Sequence, residues 1–317
     1  IMPCGHVIPV GEGRVVVDYE NFAMLGPNLG LGDLDAIAKA NYLCDYYGLD
    51  TISTGSVIAF VMECFQRGIL DEERVGFEVR WGDAETVYKL IELIAERKGF
   101  GNLMALGVRE LSRHLGGGSE KFAMHVKGLE ISAYDHRAAP AMALSYATCD
   151  IGAHHNRSWA ITYDVEVGRD SYGEDKARKV IYLQHIRPLF DMLGVCRLPW
   201  VELKIDPNLY AEAYSAVVGR EFSLDDLLLC SERVWNLTRV MAILRKRIDV
   251  KDDSLPARDF EDPVPEGETK GLKIDREKFA NLLRSYYALR GWDERGWPTR
   301  EKLLELGLEE AAEKLYG

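Results

Sequence analysis

The sequence lacks any apolar run near the roughly 20 residues that a membrane-spanning helix needs; "TISTGSVIAFVMECF" is interrupted by Gly55 and Glu63. It also lacks a basic block. With a formal net charge of -12 and a pI of about 5.2, it is a poor partner for nucleic acid or an anionic membrane surface. Cysteine is sparse. Cys4, Cys44, Cys64, Cys149, Cys196 and Cys230 are scattered without framework spacing, and a chain of 317 residues buries enough core to need no disulfides. With no signal peptide in the pattern, the expected compartment is a reducing cytoplasm. The chain opens at Ile1 without an initiator methionine, which reads as the later part of something longer.

What is present is mostly helical pattern. "VIPV" and "RVVVDYE" alternate around "GEG" and predict a hairpin. Asp33 then caps a helix whose apolar positions Leu34, Ile37, Ala38 and Leu43 lead into Asp45 and stop at Gly48; the next starts near Thr51 or Ser53 and runs to Gly68. "WGDAETVYKLIELIAERKGFG" has Asp83 as cap, a stripe of Val87, Leu90, Ile91 and Ile94, and Gly99 or Gly101 as terminator. "NLMALGVRELSRHLGGGS" predicts another, and further helices fit residues 138–148, 175–193, 207–219, 223–247, 276–290 and 299–315. The Pro- and acid-rich "DDSLPARDFEDPVPEGETKG" predicts a loop, and "YYALRGW" an aromatic packing stripe. The expected fold is mainly α: two helical lobes, residues 1–124 and 125–317, with a short N-terminal β-hairpin.

Two short runs stand out, "DYYGLD" (Asp45 to Asp50) and "DMLGVC" (Asp191 to Cys196). Each puts an acid in the last turn of a helix, where the macrodipole disfavours it. Glycine then reverses the chain, and an acid or a thiol follows. One isolated run is most simply answered by an Arg or Lys from elsewhere. Two of them suit a ligand that offers adjacent N–H donors, such as the amino-pyrimidine edge of a pterin, and the thiol suits iron–sulfur or metal ligation.

Together with "YENFAMLGPNLGLGDLDAIAKANYLCDYYGLDTISTG", "WGDAETVYKLIE", "HVKGLEISAYDHRAAPAMALSYAT" and "YYALRGWDERGWPTREKLLELGL", these runs make the chain resemble the aldehyde ferredoxin oxidoreductase family from Cys4 to the C-terminus. The family consists of tungsten, sometimes molybdenum, bis-pterin enzymes in which two helical domains follow an N-terminal β-rich domain. The resemblance implies that Asp45, Gly48, Leu49 and Asp50 hold one pterin, and Asp191, Gly194 and Val195 the other. Cys196 and Cys4 would ligate a 4Fe-4S cluster, whose two remaining cysteines would fall before Ile1. Magnesium is a candidate companion ion, and a chain that holds at most two of the four cluster thiolates would not assemble the cluster stably by itself.

Glu20 in "DYEN" and His155 in "GAHHNRS" fall on the family's acid near the metal and on its histidine. By pattern alone Glu20 is a surface acid at a strand end, and His154–His155 a helix-capping pair. The resemblance makes Glu20 a general base and His155 an oxyanion donor. The remaining cysteines, Cys44, Cys64, Cys149 and Cys230, read as small core residues on helices. The implied activity is oxidation of a small aldehyde, entering between the helical domains, to a carboxylic acid with ferredoxin as acceptor. Ferredoxins are acidic, as this chain is, so the missing N-terminal domain would supply the basic docking patch. A homodimer is compatible with this reading. The alternatives are a relative that reduces an acyl or aromatic thioester and an inactive, cofactor-free helical fragment.

Overall fold

The computed structural model describes residues 5–245, 248 and 250–317. It divides into two compact units, Ile1–Asp135 with Pro256–Arg258, and His136–Leu255 with Asp259–Gly317. In the first, strands β1 (Gly5–Val10) and β2 (Gly13–Asp18) precede α1 (Tyr19–Leu25), α2 (Leu34–Tyr47), α3 (Thr51–Gln66), α4 (Glu72–Val75), α5 (Ala84–Glu96), α6 (Gly101–Met104) and α7 (Val108–Leu115). A two-residue hairpin, β3 (His125–Val126) and β4 (Leu129–Glu130), completes it. The second unit holds α8 (Pro140–Thr148), α9 (Ile161–Val167), α10 (Glu174–Leu193), α11 (Leu198–Leu203), α12 (Asn208–Val218) and α13 (Leu224–Leu244). After the short α14 (Ala257–Glu261) come α15 (Arg276–Arg290), α16 (Arg300–Glu305) and α17 (Glu309–Tyr316). The fold is mainly α, with the expected hairpin at its start. No single described helix is long and apolar enough to cross a membrane.

The first unit is organised around α3, nine of whose residues are buried. Helix α1 lies against it so closely that a Cβ at Gly55 would sit 2.3 Å from the Met24 carbonyl oxygen. Glycine is required there for backbone approach. The capping acids expected from the sequence do their work: Asp33 accepts from the Ala36 N–H at 2.7 Å and Asp83 from the Thr86 N–H at 3.2 Å. On β1–β2, Val15 and Val17 turn inward against Ala38 of α2.

Several boundaries differ from the pattern. Helix α5 is stopped by Arg97, itself left-handed at φ 53°, ahead of the glycines expected to end it. The single helix expected over "NLMALGVRELSRHL" breaks into α6 and α7 at Gly107 (φ 82°), and the one over 299–315 breaks into α16 and α17 at Gly307 (φ 66°). A short helix, α14, forms inside the stretch expected to be loop, because Asp259 is drawn inward to His136 at 2.8 Å.

In the second unit, α8 is buried at all nine positions and packs against the central α10. Their junction is held by Asp164 and Lys176, both fully buried. The Asp164 carboxylate accepts from the Ala141 and Met142 N–H groups, each at 2.9 Å, and from the Lys176 ammonium at 2.6 Å. It therefore answers orphan donors at the start of α8 and a cation on α10 together. "YYALRGW" is the expected aromatic cluster, with Tyr286, Tyr287 and Trp292 buried around the Arg290 guanidinium.

Removing one member of that pair strands the other in a dry interior. Asp164→Ala is expected to lower unfolding free energy by about 3–5 kcal/mol, read as a lower urea midpoint at unchanged slope. A loss below about 1 kcal/mol would mean that Lys176 reaches water.

Candidate functional site

Each run folds into the same kind of corner, the first on one unit and the second on the other. Helix α2 ends at Tyr47, and Gly48 follows in the left-handed region (φ 70°, ψ 36°). The Gly48 N–H donates to the Asp45 carbonyl at 3.3 Å and the Leu49 N–H to the Cys44 carbonyl at 2.8 Å. At the end of α10, Gly194 (φ 66°, ψ 30°) donates to the Asp191 carbonyl at 3.2 Å and Val195 to the Phe190 carbonyl at 3.0 Å. These are two Schellman closures in the same register. The residue after each corner serves the next helix: Asp50 accepts from the Ser53 N–H at 2.7 Å, and the Cys196 sulfur from the Leu198 N–H at 3.4 Å. That local duty explains an acid at the sixth position. A thiol performs it less well, so capping alone is a weak reason for cysteine there.

The two leading acids are met by modest partners. Asp45 accepts from the Asn41 amide at 3.1 Å, while partial burial pushes its carboxyl upward. Asp191 is 73% exposed and lies 3.3 Å from Arg157, whose other contact is Asp150 at 3.4 Å. The compensating arginine expected of an isolated run exists for Asp191; Asp45 has a neutral amide in its place. Asp45, Asp50, Asp191 and Cys196 are all exposed on their units.

Glu20 does not end a strand. It lies in the first turn of α1, capped by Asp18, where the helix N-terminus favours a carboxylate, and it is buried. Its carboxylate accepts from the Ala133 N–H at 2.9 Å and from the Tyr134 hydroxyl. Burial is the largest influence and raises its pKa; those two donors oppose the rise, and the charges of Asp18 and Asp50 add to it. Glu20 thus holds its proton to a higher pH than an ordinary glutamate. Tyr134 escaped the sequence reading, although it lies inside one of the blocks that carry the resemblance. Its ring stacks on Tyr19 at 5.3 Å, and the Tyr19 hydroxyl donates to the Ala133 carbonyl at 2.9 Å.

Of the histidine pair, His154 does the capping: its Nδ1 accepts from the Asn156 N–H at 3.1 Å. His155 stacks on it, with ring centroids 5.3 Å apart. Burial, then His154, Arg197 and Arg187, lower the His155 pKa to about 3. A cavity of about 350 Å³ in this unit is lined by Asp191, Val195, Cys196, Arg157, Arg187 and Arg197, among others. Three guanidinium groups against one carboxylate suit an anionic occupant.

The structure therefore gathers Glu20, Asp45, Gly48, Leu49 and Asp50 on the first unit, and His155, Asp191, Gly194, Val195 and Cys196 on the second. Cys4 lies outside the described residues. Among the described residues no group of three or more His, Cys, Asp or Glu side chains could hold a metal ion. Cys44, Cys64 and Cys149 are buried as expected, the first two thiols pushed up to about 12 chiefly by burial. Cys230 is exposed, contrary to the reading as a core residue, because α13 turns that part of its surface to solvent alongside Leu229.

The family model described as aldehyde ferredoxin oxidoreductase, domains 2 and 3, matches residues 1–308. The chain belongs to this family. It is 36% identical, over 97% of its length, to the tungsten-containing aldehyde ferredoxin oxidoreductases of Pyrococcus furiosus and Thermococcus kodakarensis, covering 52% of each. It is 33% identical over 93% of its length to the WOR-like subunit of an aliphatic sulfonate oxidoreductase of Pyrococcus furiosus, covering 46% of it. Among solved structures it resembles a chain of the active-site complex BamBC of benzoyl coenzyme A reductase, with a TM-score of 0.77 at 21% identity over 98% of this chain and 52% of that one. That likeness is one of fold. The chain spans about half the length of the curated relatives it matches.

The residues present fit the groups the family implies. Exposed carboxylates at matching helix–glycine corners can accept paired N–H donors, and an exposed thiol in the same corner can bind iron.

With its pKa about 3, the His155 imidazole stays neutral throughout neutral pH. Histidine NMR spectra are expected to show no titration of His155 from about pH 5 to 8, whereas an ordinary histidine titrates within that range. Arg197→Ala removes a charge that disfavours imidazolium and is expected to raise the pKa. A wild-type His155 titrating near its ordinary value of 6.5 would contradict this environment.

Proposed function

We propose that the full protein oxidises aldehydes to carboxylic acids, with a tungsten or molybdenum bis-pterin and a 4Fe-4S cluster as its resident groups and ferredoxin as electron acceptor. The observation that carries this reading is Glu20: a buried carboxylate of raised pKa, fixed by two donors, on the unit that also presents the first acid–glycine corner. Family membership supplies the oxidoreductase class; the aldehyde, the acceptor and the residue roles are the proposal.

Bound tungstopterin supplies two-electron redox chemistry. This chain supplies the rest. Above its pKa, Glu20 accepts the proton of the water that adds to the aldehyde carbon. His155, neutral and with an N–H to give, donates to the carbonyl oxygen as negative charge develops on it. In balance, aldehyde and water give carboxylic acid, two protons and two electrons, and the electrons leave to ferredoxin. Asp45, Asp50 and Asp191 accept pterin N–H donors, with Gly48, Leu49, Gly194 and Val195 shaping the corners. Cys196 ligates the cluster together with Cys4 and residues from the rest of the protein.

Metal analysis and a substrate screen of the full-length protein, with a viologen acceptor, test this. Tungsten or molybdenum near one per protein with aldehyde-dependent reduction of the acceptor is the expected result. Turnover of an acyl or aromatic thioester without aldehyde turnover would replace it with the reductase reading, and absence of both metals would defeat either enzyme. Asp50→Asn keeps the Ser53 cap but weakens the charged contact, so it and Asp191→Ala are expected to lose bound pterin at little cost in helix content. Cys196→Ser is expected to abolish the iron–sulfur spectrum while the fold persists.

A further inference from the structure

Residues 130–134 form a strap with chemistry at both ends. At one end the Glu130 side chain is buried, 5% exposed. Its Oε2 accepts from the Ser53 hydroxyl at 2.8 Å, three residues after Asp50, and its Oε1 from the Val108 N–H at 2.8 Å. A Cβ at Gly107, already at φ 82°, would stand 2.9 Å from Oε1, so glycine gives the carboxylate its approach to the start of α7. At the other end, the Ala133 N–H and Tyr134 hydroxyl hold Glu20. The platform beneath is continuous: Thr51 on α3 donates to Asn21 on α1 at 2.8 Å, and α1 is seated on Gly55.

We propose that Glu130 is a positioning residue: it anchors the strap to α3 and α7 and thereby fixes the donors that orient Glu20 and the first turn that follows Asp50. This rests on the reading of Glu20 as the base. Loss of Glu130 loosens the strap, and Glu20 then has less help against burial and against the charges of Asp18 and Asp50, with the hydroxyls of Tyr19 and Tyr134 as the neighbouring neutral groups. Since the base must be deprotonated to act, the acidic limb of the rate profile moves to higher pH.

The test uses the full-length enzyme with Glu130→Ala, Glu130→Gln, Ser53→Ala and, as control, Glu20→Gln. Glu130→Ala is expected to lower kcat by about tenfold or more, as sub-ångström misplacement of a reacting group does, and to raise the acidic limb by about one pH unit. Glu130→Gln retains an acceptor for Val108 and a polar partner for Ser53, and is expected to restore most of the rate and the limb. Ser53→Ala is expected to move both in the Glu130→Ala direction by less. A lowered melting temperature in Glu130→Ala with wild-type kcat and limb overturns the positioning role. If Glu130→Ala fails to fold, an unmoved limb in Ser53→Ala overturns it. Full activity in Glu20→Gln overturns the base reading, and the positioning role falls with it; wild-type profiles in the Glu130 variants beside a dead Glu20→Gln overturn the positioning role alone.

Discussion

A chain that folds into many short helices creates many helix ends, and each start leaves backbone N–H groups without partners. Where these ends lie inside the protein, a carboxylate is the compact answer, because its two oxygens can serve two elements at once. Glu130 does so for α3 and α7, and Asp164 for α8 and α10. Asp253 receives the Arg239 guanidinium at 2.6 and 2.9 Å and the Tyr287 hydroxyl at 2.6 Å, tying α13 to α15. Each buried acid costs desolvation and is tolerated because it is fully engaged. Such knots, together with apolar packing, hold the helices in place.

The acid–glycine corners belong to the same economy of helix ends. The glycine closes one helix by donating backward, and the residue two positions on opens the next helix by accepting forward. Such a corner leaves its first carboxylate at a helix C-terminus, where the dipole repels it and leaves it short of donors. A donor-rich ligand edge is what that position lacks. The capping and ligand readings of Asp50 are therefore compatible: one oxygen fills a backbone need and the group keeps acceptor capacity. Cys196 is different, since a thiol caps poorly and its sulfur stays exposed.

Much of this was legible in the sequence. Helices with a polar cap, a 3.6-residue apolar stripe and a terminating glycine stood where their pattern put them, α2 and α15 among them. Where the pattern misled, a backbone choice or a distant partner had intervened. Gly107 and Gly307 each interrupt a continuous stripe by adopting positive φ, and a glycine inside a helix costs only about 1 kcal/mol relative to alanine, so the pattern alone did not mark the break. Arg97 terminates α5 in a conformation no propensity assigns to arginine.

The sequence by itself determined the helical class, the two matching corners and the family, because these rest on local periodicity, on caps within a few residues and on the order of blocks along the chain. Only the tertiary structure decided what the key acids experience. Glu20 reads as a surface acid beside a strand, yet α1 buries it and a strap more than one hundred residues away supplies its donors. Glu130, Tyr134, Arg187 and Arg197 carried no local signal at all, since a side chain's pKa and orientation depend on which groups the fold brings within a few ångströms. Neighbours in space cannot be read from neighbours in sequence.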